Sequence, residues 1–177
     1  MHRSAIAALL GAAVSFGADL SAQAPDPAVP KAAIARLDFM VGLWRGDAWQ
    51  LRGSERVETK MLESVERKLN GAVLLVEGRG SVPVAGGEDR VVHHALAVIS
   101  FDARTSKYTM RSYIASGQSG DFDVTIIDGG VSWTREVPGG RIRNTARFTQ
   151  DEWHEVGEFS TDGNVWRQVM ELRLKRQ

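Results

Sequence analysis

The stretch DGGVSWTREVPGGRIRNTARF, residues 128–148, decides the fold. It contains two turn signals, Asp128-Gly129-Gly130 and Pro138-Gly139-Gly140. Glycines in such clusters supply the positive φ that tight hairpins need. After the second turn Arg141, Arg143 and Arg147 alternate with Ile142, Asn144, Ala146 and Phe148. Successive strand residues point to opposite faces, so the arginines face water and the other four face a core. Before that turn Val131, Trp133 and Arg135 share one phase. The unit predicted is a hairpin with one inner face.

The same punctuation continues on both sides. Arg52–Ser54, Asn70-Gly71, Ala85–Glu88, Asp102–Ser106, Gly117–Gly120, Gln150-Asp151 and Asp162–Asn164 read as further turns, and together they delimit ten strands joined by short loops. Phe122, Val124 and Ile126 alternate with Asp121, Asp123 and Thr125. In the last segment Trp166, Gln168, Met170, Leu172 and Leu174 share one face, against Arg167, Glu171, Arg173 and Lys175 on the other. Strands with one apolar face must close on themselves or pair with a second sheet, because open edges invite aggregation. The fold class is therefore all-β: a closed antiparallel up-and-down barrel of about ten strands. Ahead of it, Ile34, Leu37 and Met40 or Val41 follow a helical spacing between Lys31 and Gly42, which predicts a short N-terminal capping helix.

Residues 1–24 have a basic start (His2, Arg3), an apolar run from Ala5 to Ala18, and small residues at Ser21, Ala22 and Ala24. This is the pattern of a secretory signal peptide, with cleavage after Ala22 or after Ala24. The run is shorter than the roughly 18 to 20 residues that span a bilayer, so no stable membrane span is expected once it is removed. Residues 25–30 form a proline-rich linker and residues 31–177 the barrel domain, in the periplasm or outside the cell. The chain has no cysteine, which excludes disulfides, thiolate metal sites and a cysteine nucleophile. Its 22 basic and 22 acidic residues are interspersed, so no basic face suggests nucleic acid.

Two segments resemble a known family. Leu37-Asp38-Phe39-Met40-Val41-Gly42-Leu43-Trp44-Arg45-Gly46 resembles the opening of calycin-type barrels, the lipocalin-like and nitrobindin-like proteins, where a helix leads through Gly-x-Trp-x-Gly into the first strand. Asp162-Gly163-Asn164-Val165-Trp166-Arg167, continuing through Met170-Glu171-Leu172-Arg173-Leu174, is similar to the last strand of a related bacterial family of unknown function. The resemblance implies that Trp44 plugs one barrel end beside a basic residue of the last strand, Arg173 or Arg176, with Arg173 assigned to barrel closure. Nitrobindin-like proteins bind haem through a histidine of that strand. Here the nearest inward positions are Gln168 and Met170, so the resemblance implies no haem and no other cofactor.

No catalytic constellation emerges from the residues. Gly117-Gln118-Ser119-Gly120 lacks the spacing and the helix of a nucleophile elbow, and Gly78-Arg79-Gly80 lacks the third glycine of a phosphate loop. Of the His93-His94 pair one side chain faces inward, because neighbours on a strand diverge, and His94 is counted as the cavity candidate. The direction of His154 is ambiguous. Glu63 is in phase with Val57, Met61 and Val65. Buried, it requires a partner such as Arg135, Asn144 or Gln168; a bulge would instead bring it to the rim. The tryptophans at positions 44, 49, 133, 153 and 166, with Met61, Met110 and Met170, either line a cavity or fill a core. Ten strands leave more room than eight. The function expected is binding of a small apolar or amphipathic ligand inside the barrel. The alternatives are an enzyme using Glu63 or an inward histidine as acid or base, and an envelope assembly protein.

Overall fold

The computed structural model describes residues 26–177; residues 1–24, the expected signal peptide, and Pro25 of the expected linker lie outside the described residues. Ten strands form one closed antiparallel barrel: β1 (Gly42–Arg52), β2 (Glu55–Lys68), β3 (Val73–Val82), β4 (Arg90–Asp102), β5 (Lys107–Ile114), β6 (Ser119–Ile127), β7 (Gly130–Val137), β8 (Gly140–Phe148), β9 (Glu152–Ser160) and β10 (Arg167–Arg176). Each strand pairs with its sequence neighbour, and β1 pairs with β10 to close the ring, Gly46 opposite Leu174. The expected up-and-down barrel is what forms, with every loop at an expected turn. Among the described residues no helix is long and apolar enough to cross a membrane.

The capping helix begins earlier than the sequence suggests. α1 spans Ala28–Ala35 rather than starting at Lys31, with Pro27 as its N-cap, so Ala28, Val29 and Pro30 belong to the helix and not to a linker. Proline is tolerated in a first helical turn because no intrahelical partner awaits its missing N–H. The helix stops at Ala35, and a 3₁₀ turn follows at Asp38–Met40. Ile34, Leu37 and Met40 are spaced three apart, the 3₁₀ repeat, and all three are buried. α1 packs against the β3–β4 side, where Tyr108 Oη donates to Ala33 O at 2.9 Å.

This end of the barrel is solid. Trp44 has no exposed surface, donates its indole N–H to Met40 O at 2.9 Å, and meets Trp153 and Phe148 edge-on with ring centroids 6.1 and 5.8 Å away. The basic residue beside it is Arg176, not Arg173. Arg176 stands on the inward face with Leu172 and Leu174, its guanidinium 3.9 Å from the Trp44 ring centroid, and it donates to the carbonyls of Phe39, Val41 and Gln150. Arg173 has the opposite parity and pairs with Glu171 and Glu152 in solvent. Strand alternation alone determines this correction.

Candidate functional site

Above the plug the barrel is hollow. A cavity of about 810 Å³ runs from Trp153 and Val131 towards the loops at the other end. Its walls include Met61, Met110, Trp133, Met170, Ile99 and Leu172, and its polar lining is Glu63, His93, Arg135, Glu136, Asn144 and Glu155 among others. Seven residues singled out from the sequence thus line one space: Met61, Glu63, Met110, Trp133, Arg135, Asn144 and Met170.

The acidic floor is the unusual feature. β2 runs without a bulge against both neighbours, so Glu63 keeps its inward phase and is 8 % exposed. Its carboxyl lies over Gly78 of β3, where a Cβ would come within 2.5 Å of Oε1. Burial, and then the nearby Glu155 charge, push Glu63 up to about 8. Glu155 of β9 is 6 % exposed and accepts one hydrogen bond, from Asn144 Nδ2 at 3.0 Å. Burial pushes Glu155 up to about 7, against the opposing pull of Asn144, of the Trp153 indole and of the Arg135 charge. Among the described residues the Trp153 N–H has no hydrogen-bond partner, and neither has Asn144 Oδ1. A carboxyl with raised pKa in a cavity can hold a proton at neutral pH, donate it, or exchange it for a cation.

The polar groups nearer the mouth differ. His93 is held below its usual pKa by burial first and then by the charges of His94 and Arg52. Arg135 is solvent-exposed but points into the cavity, and the surrounding wall disfavours its charge, partly offset by Glu155. Among the described residues it forms no ion pair with Glu63, which has no partner there; Asn144 serves Glu155 instead.

Several expectations are corrected. His94 faces outward, bound to Glu77 Oε1 at 2.8 Å, and His93 is the inward member of the pair. Gln168 is exposed, because a bulge between Gln168 and Met170 reverses the phase of β10 and sets Gln168 opposite Glu158. Met170 stays inside, where its Sδ accepts from Asn144 Nδ2 at 3.5 Å. Trp49 reaches only the rim, its Nε1 donating to Glu171 at 3.1 Å, and Trp166 packs outside under Arg143. His154 is outside too, at 2.9 Å from Glu171 Oε1.

Glu155 and Gly78 went unrecognised in the sequence. The register of β8 would have found the first: Phe148 faces Trp153 across the turn, so Ala146 faces Glu155, and the inward phase of β8 passes to β9. Gly78 and Gly80 are inward positions left without side chains, which make room for Glu63 and for Met61 Sδ.

No protein-family model and no curated protein matches the chain. Solved structures do. The barrel is similar to Rv2717c from M. tuberculosis, with a TM-score of 0.59 and 13 % identity, covering 82 % of this chain and 97 % of that one. It is also similar to the S-type phycobiliprotein lyase CPES from Guillardia theta, with a TM-score of 0.56 and 11 % identity, covering 82 % and 92 %. At such identities the likeness shows a shared barrel fold alone.

Proposed function

We propose that this is an exported binding protein that holds a small apolar or amphipathic molecule inside its barrel. The observation that carries the reading is the cavity itself. A core could have been filled, yet about 810 Å³ is left open between apolar walls and a polar floor. Ligand sites are typically of this size and composition, mostly apolar with a few convergent polar groups. Export rests on residues 1–24, and N-terminal sequencing of the protein recovered from a periplasmic fraction tests it.

The experiment for binding is native mass spectrometry of the protein purified from its own cells, before and after denaturing extraction. A discrete extra mass that denaturation releases is the expected result. A bare polypeptide in every preparation, with no uptake from lipid or metabolite extracts, would overturn the reading.

A catalytic reading has one specific observation behind it: Glu63 and Glu155 titrate close to neutrality inside a cavity, as acid–base groups do. One similar barrel is named a lyase, so the fold is compatible with chemistry as well as carriage. If Glu63→Gln leaves ligand uptake intact but stops conversion of the bound molecule, catalysis replaces carriage.

A further inference from the structure

We infer that the molecule held in the barrel carries a hydrogen-bond-donating, cationic nitrogen head, such as a protonated amine or amidine on an apolar body, and that this head seats on Glu63, Glu155 and Asn144. The inference rests on the ligand-binding reading above and adds the ligand's chemical class.

The acceptors at the floor outnumber the donors. No protein donor acts on the Glu63 carboxyl, whose protonation responds only to burial and to Glu155. Asn144 is 5 % exposed; its Nδ2 is committed to Glu155, and its Oδ1 has no partner. Glu155 accepts a single amide N–H. Against these stands one free donor, Trp153 Nε1. A buried acceptor left unpaired costs about 1–3 kcal/mol, so a floor kept this way is matched to something that donates. An alcohol offers one donor and an ammonium offers three together with a positive charge.

The other titratable groups facing the cavity do not supply that charge. They are His93 on β4 and Arg135 on β7; Glu136, at the edge of the cavity, turns outward to Arg141 at 3.9 Å. Burial keeps His93 towards its neutral form, and burial likewise disfavours the Arg135 charge. Arg135 acts on Glu155 only through space, without an ion pair among the described residues. Trp133, Met61, Met110 and Met170 provide adaptable apolar wall for the body of the ligand. Because the two carboxyls hold protons near neutrality, a bound cation replaces one of them, and binding releases a proton.

The test uses three fluorescent probes of equal shape: pyrenemethylamine, pyrenemethanol and pyrenecarboxylate. Each is titrated into the purified protein at pH 8.5 and pH 5.5. The amine is expected to bind about tenfold or more tightly than the alcohol at pH 8.5, a difference of about one pKa unit in free energy. At pH 5.5, with both carboxyls protonated, the preference is expected to vanish. Calorimetry at pH 7 in buffers of different ionisation enthalpy is expected to show proton release for the amine alone. Glu63→Gln and Glu155→Gln should each reduce the preference and the proton count. The wild-type pH series decides the matter even if a variant folds badly. Equal binding of amine and alcohol at pH 8.5, or a preference for the carboxylate, overturns the head-group inference and leaves the ligand-binding reading standing. Binding of none of the three removes both.

Discussion

Trp44 and Trp153 touch edge-to-face, yet they belong to two differently built regions. Trp44 at the plug donates to Met40 O and lies beneath Arg176, which itself satisfies three carbonyls. Trp153 marks the floor of the cavity, where among the described residues its own N–H and Asn144 Oδ1 have no hydrogen-bond partner and only burial and the Glu155 charge act on the Glu63 carboxyl. Polar groups in the plug are paired and stabilise the barrel. Those at the floor are buried at a cost, and such cost is retained where a site needs it. Removing an unpaired charge at the floor should therefore have the opposite sign to removing a paired group of the plug.

The largest loss is expected from Trp44→Ala, roughly 3–5 kcal/mol for a buried tryptophan, read as a fall in the urea midpoint. A loss under about 1 kcal/mol would mean that the plug does not hold the barrel. Next comes Arg176→Leu, at about 1–3 kcal/mol, since it leaves part-buried carbonyls unpaired and removes a cation–π contact. Arg173→Leu, by contrast, breaks only exposed pairs and should change stability by less than about 1 kcal/mol. If the two arginines behave alike, the assignment of closure to Arg176 is wrong. Gly78→Ala drives a methyl into the Glu63 carboxyl and is expected to cost about 1–3 kcal/mol, with reduced ligand uptake. The smallest effect is that of His94→Ala, within about 0.5 kcal/mol and without consequence for binding, because its pairing with Glu77 is exposed.

The barrel was legible because its punctuation is local. Most hairpins carry a glycine or asparagine turn, the exceptions being Asp102–Ser106 and Thr149–Asp151, which turn on aspartate, threonine and serine, and β6 and β8 alternate charged and apolar residues. The site was legible only where a strand kept its phase. β2 does, so Glu63 and Met61 could be placed inward. β10 does not, and nothing in Gln168-Val169-Met170 marks the bulge that turns Gln168 outward. In β4 the apolar signal misleads: Ala95 and Ala97 face inward while the larger Leu96 and Val98 face outward, and a shift at Gly80/Ser81 changes the register just before the histidines. Hydrophobicity therefore could not choose between His93 and His94. Arg176 was within reach, since it shares parity with Leu172 and Leu174: the resemblance implied Arg173 or Arg176, and alternation favours the second.

The contrast between plug and floor is tested most directly by the urea stability of Glu63→Gln against wild type at pH 5 and pH 8.5. With its pKa raised from 4.5 to about 8 in the folded state, Glu63 binds more protons folded than unfolded across that window. The wild type must therefore lose stability as pH rises from about 4.5 to 8, by up to about 1.4 kcal/mol per unit of pKa difference, and level off above it. The expected result is near-equal stability at pH 5 and a more stable Glu63→Gln at pH 8.5. A variant less stable than wild type at pH 8.5 would show that Glu63 is a satisfied structural group and that the floor is built like the plug.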